Sequence, residues 1–107
     1  MRKVVFEGDS LDVIRALPGD ARHRAGYEID RVQRDKVPEN WKPFPTIGQG
    51  VRELRIQTGR QFRVVYIAKF DMKVHILHVF EKKTQKTRQS DIEIARNRFK
   101  EVVKRYR

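Results

Sequence analysis

The sequence predicts an α+β fold in which an N-terminal helical hairpin, a mainly antiparallel sheet of about four strands and a C-terminal helix share one domain, residues 1–107. Three observations carry that expectation. Residues 51–83 contain three β-prone runs parted only by short turns, and loops that short make the strands antiparallel neighbours. Residues 10–35 and 90–106 instead repeat apolar side chains at every third or fourth position, the spacing that lays them along one helix face. Finally, 107 residues with 38% hydrophobic and 36% charged content suffice for one economical core under a heavily charged surface.

Val4-Val5-Phe6 is the first expected strand. Asp9 or Ser10 can cap a short helix with Leu11, Ile14 and Leu17 on one face, and Pro18-Gly19 ends it. Asp20 caps a second helix running to about Asp35, with an apolar stripe of Ala21, Ala25, Ile29 and Val32. Arg22, Arg24, Glu28, Asp30, Arg31 and Arg34 form its solvated face. Residues 37–50 carry Pro38, Pro43, Pro45, Gly48 and Gly50 and read as a connecting loop, pinned to the core by Trp41 and Phe44. Strands follow at Val51–Ile56, Phe62–Phe70 and Val74–Phe80, the last extending toward Lys83. The middle one sets Phe62, Val64, Tyr66, Ala68 and Phe70 against Arg63, Val65, Ile67 and Lys69. It is apolar on both faces at its centre, as a strand buried on both sides would be. Ser90–Tyr106 is the last helix, with a capping box of Ser90 and Glu93 and a buried stripe of Ile92, Ala95, Phe99, Val102 and Tyr106.

The charge is unevenly placed. Lys and Arg number 25 against 14 Asp and Glu, for a net charge of +11. Residues 1–50 account for +1 of it and residues 51–107 for +10. Charge serving solubility alone would be dispersed, so the asymmetry reads as attraction to a polyanion, a nucleic acid or an acidic protein. The absence of cysteine excludes disulfides, thiolate metal sites and cysteine nucleophiles. No P-loop, GxGxxG, GxSxG or HExxH pattern occurs. The N-terminus turns acidic before any apolar stretch long enough for a signal peptide, and no run approaches the ~18 apolar residues of a membrane span. A cytoplasmic protein with no membrane partner is expected.

The most distinctive segment is Leu77–Arg88, where a strand opens into a loop bearing Lys82, Lys83, Lys86 and Arg88 with no acid after Glu81. Such a cluster suits a phosphodiester, whose pentacovalent transition state gains negative charge. Alone, it would read as a solvated turn. Arg55 and Arg63 shift the balance, because they lie on adjacent strands near a hairpin and Arg can fork onto two phosphate oxygens. Arg63 stands in an apolar run where a charge needs a task; its other reading is an ion pair with Glu53. By simple alternation His78 shares a face with Ile76, Phe80 and Lys82, and His75 lies on the opposite face, so the two cannot chelate a metal together. His78 is either a general acid or base beside the lysines or a hydrogen-bonded, half-buried histidine. With no carboxylate cluster, neither a metal nor a cofactor is expected.

These segments together resemble a known family. Val51-Arg52-Glu53-Leu54-Arg55, Phe62-Arg63-Val64-Val65-Tyr66, Leu77 to Thr87 and Ile92-Glu93-Ile94-Ala95, with the Trp41-Lys42-Pro43 loop before them, resemble the phage-derived HigB-like branch of the RelE/ParE toxin superfamily. The resemblance covers nearly the whole chain and is most specific from residue 41 onward. It implies a small curved sheet with two N-terminal helices on one side and a further C-terminal helix. It also implies the toxin of a type II toxin–antitoxin pair: a metal-independent, ribosome-dependent mRNA endoribonuclease that inhibits translation. The partners implied are mRNA on the ribosome and a helix-turn-helix antitoxin that neutralises the toxin in a hetero-oligomer.

Carried over by position, Arg63 matches the family's recurrent strand arginine and Lys83 the basic residue ending the last strand. Lys82 and Lys86 belong to the branch's Lys-Lys-Thr segment. The expected catalytic set is Arg63, Lys83, Lys82 and His78, with Arg55, Lys86, Arg52 and Arg88 binding RNA; guanidinium and ammonium groups from separate strands, Arg63 and Lys83 above all, are expected to converge on one concave spot. On that basis Arg63→Ala or Lys83→Ala should each abolish toxicity with the fold intact. Departures exist: ribosome-dependent members often carry lysines where Val51 and Glu53 stand, a tyrosine where Ile92 lies and, in this branch, a proline at Arg88. The general base is left to His78 or Glu81. A gyrase poison of the ParE kind, which cleaves nothing, and a non-catalytic basic nucleic-acid-binding protein are the competing readings.

Overall fold

Short turns, β-branched residues and period-two alternation produce one sheet; the computed structural model describes residues 1–107. In chain order come β1 (Lys3–Phe6), α1 (Ser10–Ala16), α2 (Gly19–Gln33), β2 (Trp41–Pro43), β3 (Arg52–Gln57), β4 (Gln61–Ile67), β5 (Lys73–Glu81) and α3 (Gln89–Arg105). The sheet order is β1-β5-β4-β3-β2, with β1 parallel to β5 and every other pair antiparallel. The mainly antiparallel α+β architecture is therefore as expected, with five strands rather than four. The additional one is β2, inside the stretch read as a loop. Trp41–Pro43 is too short and proline-rich to read as a strand, yet it pairs along the outer edge of β3, where Pro43 has no further ladder to join.

Two apolar layers sandwich the sheet. On one face α1 and α2 bury Ile14, Leu17, Ala21, Ala25, Ile29 and Val32 against Leu54, Ile56, Phe62, Val64, Tyr66, Ile76 and Val79. On the other, α3 and the loop before β3 pack Ala95, Val102 and Ile47 against Val51, Val65, Ile67, Leu77 and Phe80. Trp41 joins the first layer and Phe44 the second, so the two aromatics straddle the sheet edge and pin the loop as expected. Gly48 is where that loop meets α3: a Cβ there would collide with the Phe99 ring.

The helices depart from expectation at their ends and in one interior position. Neither Asp9 nor Arg88, the residues preceding α1 and α3, makes a side-chain cap, and Ser90 lies one residue inside α3, so the Ser90–Glu93 capping box does not form. Asp20 likewise lies inside α2, its carboxylate accepting from the Ala21 N–H at 2.7 Å. Glu28, assigned to the solvated face of α2, is fully buried. Its Oε2 accepts the backbone N–H groups of Glu39 and Asn40 at 2.9 and 3.2 Å, strapping the chain entering β2 onto α2. No helix is long and apolar enough to cross a membrane.

Candidate functional site

A β-bulge sets the geometry of the site. Val65 pairs with His78 but Tyr66 pairs with Ile76, so Leu77 has no partner on β4. Such an extra residue puts two consecutive side chains on one face. Leu77 and His78 accordingly both point to the α3 side, and Phe80 follows them, while Val74, Ile76 and Val79 face α1 and α2. This corrects the alternation read from sequence. His78 does not share a face with Ile76, and His75, paired with Ile67, lies on the same side as His78. The two are separately engaged: His75 bonds Glu7 at 2.9 Å and the Tyr106 hydroxyl at 3.0 Å, whereas His78 Nε2 meets Asp91 Oδ1 at 2.8 Å. No three His, Asp or Glu side chains gather closely enough to hold a metal ion.

On the α3 side the register creates three rows across β3, β4 and β5. Glu53, Val65 and His78 form the first, and Arg55, Arg63 and Phe80 the second. Gln57, Gln61 and Lys82 form the third, because the Lys82 N–H still donates to the Gln61 carbonyl at 2.7 Å, one residue past β5. The first row is the last that α3 hydrogen-bonds, through Asp91 in its first turn. His78 is 6% exposed, stacks on Phe80 and has no partner for Nδ1.

Arg63 is 5% exposed, an unusual position for a guanidinium. Its Nη1 donates to the Phe62 carbonyl at 3.0 Å and to Gln61 Oε1 at 3.4 Å, while Nε has no hydrogen-bond partner. Glu53 Oε1 lies 3.8 Å from Arg63 Nε and 3.4 Å from Arg55 Nε, and Glu53 Oε2 is buried and unpaired. Burial pushes the Arg63 pKa down from its ordinary value; Glu53 opposes that and the like charge of Arg55 adds to it. Both readings made of Arg63 thus describe the same atoms: it is paired with Glu53, and the pairing leaves donor capacity unspent.

The structure brings together Arg55, Arg63, Lys82 and His78, and it separates the other expected residues from them. Glu81 pairs with Phe62 on the α1–α2 side, where Arg60 makes two hydrogen bonds to it at 2.7 and 3.0 Å. Those bonds hold the Glu81 carboxyl below its usual range and keep it occupied. Lys83 Nζ sits 4.0 Å from that same carboxylate, so its neighbours are Glu81 and Arg60, and the expected convergence of Lys83 with Arg63 does not occur, because the bulge puts the two on opposite faces of the sheet. Arg52 pairs with Tyr66, also on the α1–α2 side, and its guanidinium covers Trp41 at 4.3 Å. Lys86 and Arg88 are exposed on the loop leading to α3, where the Thr84 hydroxyl donates to the Lys86 carbonyl.

Sequence reasoning missed Gln57, Gln61 and Asp91. Asp91 carried a signal, as an acid in the first turn of the helix that returns to the strand of His78. The glutamines carried none, since only the register shows them flanking the arginine pair. Chemically, the face presents cations and amide donors around the Glu53 carboxylate, with the Asp91 carboxylate engaged by His78, an arrangement that suits a phosphodiester. A family model described as phage-derived protein Gp49-like (DUF891) matches residues 12–100. No curated protein matches the chain.

Proposed function

The chain belongs to the Gp49-like family, a family of RelE/HigB-type toxins associated with toxin–antitoxin pairs, and we propose that this member, of the HigB-like branch, is an mRNA endoribonuclease. It acts in the cytoplasm on ribosome-bound mRNA and is neutralised by a helix-turn-helix antitoxin. The reaction needs no metal. A ribose 2′-oxygen attacks the adjacent phosphorus, the bond to the 5′-oxygen breaks, and a 2′,3′-cyclic phosphate and a 5′-hydroxyl result. One group takes the 2′ proton and another returns a proton to the 5′-oxygen. His78, with Nε2 held by Asp91 and Nδ1 buried, serves as one of these groups only when bound RNA uncovers Nδ1. Arg55 and Lys82 contact the phosphate from the face they share, and Arg63 behind them supplies charge as the transition state develops. Lys83, Lys86 and Arg88 guide the flanking RNA.

The observation that supports this reading is the buried Arg63 with its unsatisfied Nε beside Arg55. A fold that only needed stability gains little from a charge placed there. The test is inducible expression with RNA-end mapping and a parallel gyrase assay. Growth arrest with new ends inside codons is expected, and Arg55→Ala and Lys82→Ala should each reduce cleavage about 100-fold, the scale of losing one transition-state donor. Both side chains are partly exposed, so their removal leaves the fold readable. Arrest with intact mRNA and cleaved DNA would replace this reading with the gyrase poison. Absence of arrest would leave a non-catalytic binder.

A further inference from the structure

A second cationic feature lies on the opposite side of the sheet and at its other end. Between the C-terminus of α2 and the edge of β3 and β4 there is a cleft of about 400 Å³. Arg2, Lys36, Arg52 and Lys69 contribute its charge, Val32, Val37, Pro38 and Ala68 its apolar walls, and Asp35 is its one carboxylate. That carboxylate is already answered by Arg2 at 2.7 Å. Lys36, Arg52 and Lys69 are exposed and form no ion pair, so the cleft keeps an uncompensated positive charge. Three residues separate the Arg52–Tyr66 row from the Arg55–Arg63 row, roughly 10 Å along the strands, and Arg52 and Arg63 lie on opposite faces of the sheet, so the cleft and Arg63 do not share a surface.

We propose that this cleft binds a carboxylate-bearing segment of an acidic protein partner, with a Glu or Asp side chain entering among Lys36, Arg52 and Lys69 and aliphatic neighbours resting on Val37 and Pro38. Two features favour a peptide over RNA. The walls are aliphatic, and the Trp41 ring beside them is already covered by Arg52, so no aromatic face is left for a base to stack on. Arg52 is held in place by that stacking and loses little freedom when a carboxylate docks on it. The surface lies apart from the face proposed to hold RNA, so a partner seated here and an RNA strand can occupy the protein together. The inference rests on membership of a toxin–antitoxin family, which implies a protein partner, and not on RNA cleavage.

The test uses the whole chain, a labelled octapeptide rich in glutamate with two leucines, the same peptide with glutamine throughout, and a 2′-O-methyl RNA decamer. The acidic peptide should bind at least tenfold tighter than its glutamine counterpart and shift the amides of Gly50, Ala68 and Lys69. Lys36→Glu with Lys69→Glu should weaken it at least tenfold with an unchanged melting temperature and unchanged RNA cleavage. The proposal is overturned if the double variant binds like the parent, if the peptide instead shifts amides around Arg55 and Lys82, or if the RNA occupies the cleft more tightly than the peptide. A protein that binds the peptide here but cuts no RNA sinks the nuclease reading alone; one that cuts RNA and ignores the peptide sinks this inference alone.

Discussion

Glu53→Gln separates a structural ion pair from a phosphate site, because the two roles respond to it in opposite directions. Glu53 is 7% exposed and Arg63 5%, and the carboxylate lies 3.4 Å from Arg55 and 3.8 Å from Arg63. At the effective dielectric of such sites, each attraction has a gross size of about 4 kcal/mol, most of it offset by the cost of taking the carboxylate out of water. Neutralising Glu53 leaves Arg55 and Arg63, directly opposed across β3 and β4, with no counter-charge. Breaking a buried pair in this way costs about 3–5 kcal/mol, and the partial exposure of Arg55 favours the lower figure. About 3 kcal/mol in a chain this size lowers the melting temperature by roughly 12–20 °C. A phosphate can then take the place of the carboxylate. The variant should bind a 2′-O-methyl RNA decamer at least tenfold tighter than the parent, and RNA at about 100 times Kd returns roughly 2.7 kcal/mol. Thermal melts with and without the decamer, with a binding isotherm, read both effects. Equal melting of the two proteins, or equal RNA affinity, refutes the reasoning.

Three further outcomes follow from the packing. Glu28→Ala strands the Glu39 and Asn40 amides and should cost about 2–5 kcal/mol in urea unfolding, with faster hydrogen exchange at both amides, whereas Glu28→Gln keeps an acceptor and should cost less than half of that. Burial would raise the Glu7 pKa, but hydrogen bonds from Arg105 and His75 outweigh it and hold the carboxyl below 4.5. The stability this contributes is complete above that value and is lost as pH falls through the lower folded-state value, so Glu7→Gln should flatten the acid limb of the melting curve; parallel limbs would count against the network. Met72 sits in a left-handed conformation at φ +55 with its side chain 64% exposed, so Met72→Gly should raise stability by about 0.5–1 kcal/mol in urea unfolding, and any loss contradicts the turn geometry.

The layers of the fold were legible where pattern length was sufficient. The α3 stripe from Ile92 to Tyr106 and the two-faced burial of β4 follow from periodicity alone, and both are found. The edge strand β2 was not legible, since three residues containing a proline carry no periodicity and form a strand only because Leu54, Glu53 and Arg52 offer a ladder. Glu28 was misplaced for a related reason. Its helical position says nothing of two backbone amides arriving from residues 39 and 40, and those amides are what make burial of a carboxylate tolerable. Arg55 and Arg63 were legible as a pair because hairpin strands with a short turn have few registers available.

The lysine assignment turned on a single residue. Alternation counted from Val74 puts Ile76, His78, Phe80 and Lys82 on the α1–α2 side, and His75, Leu77, Val79, Glu81 and Lys83 on the side of α3. The unpaired Leu77 reverses everything after it, sending Val79 to the α1–α2 core and Phe80 to the core under α3. Lys82 and Lys83 therefore exchange faces. Lys82 comes to lie opposite Gln61 in the row beside Arg55 and Arg63, and Lys83 falls beside Glu81 and Arg60. The bulge has a packing cause: two adjacent side chains, Leu77 and His78, must both reach the α3 side, one to fill the core and the other to meet Asp91. An uninterrupted strand can deliver only one of them, so the same local irregularity that completes the core also fixes which cation stands next to Arg63.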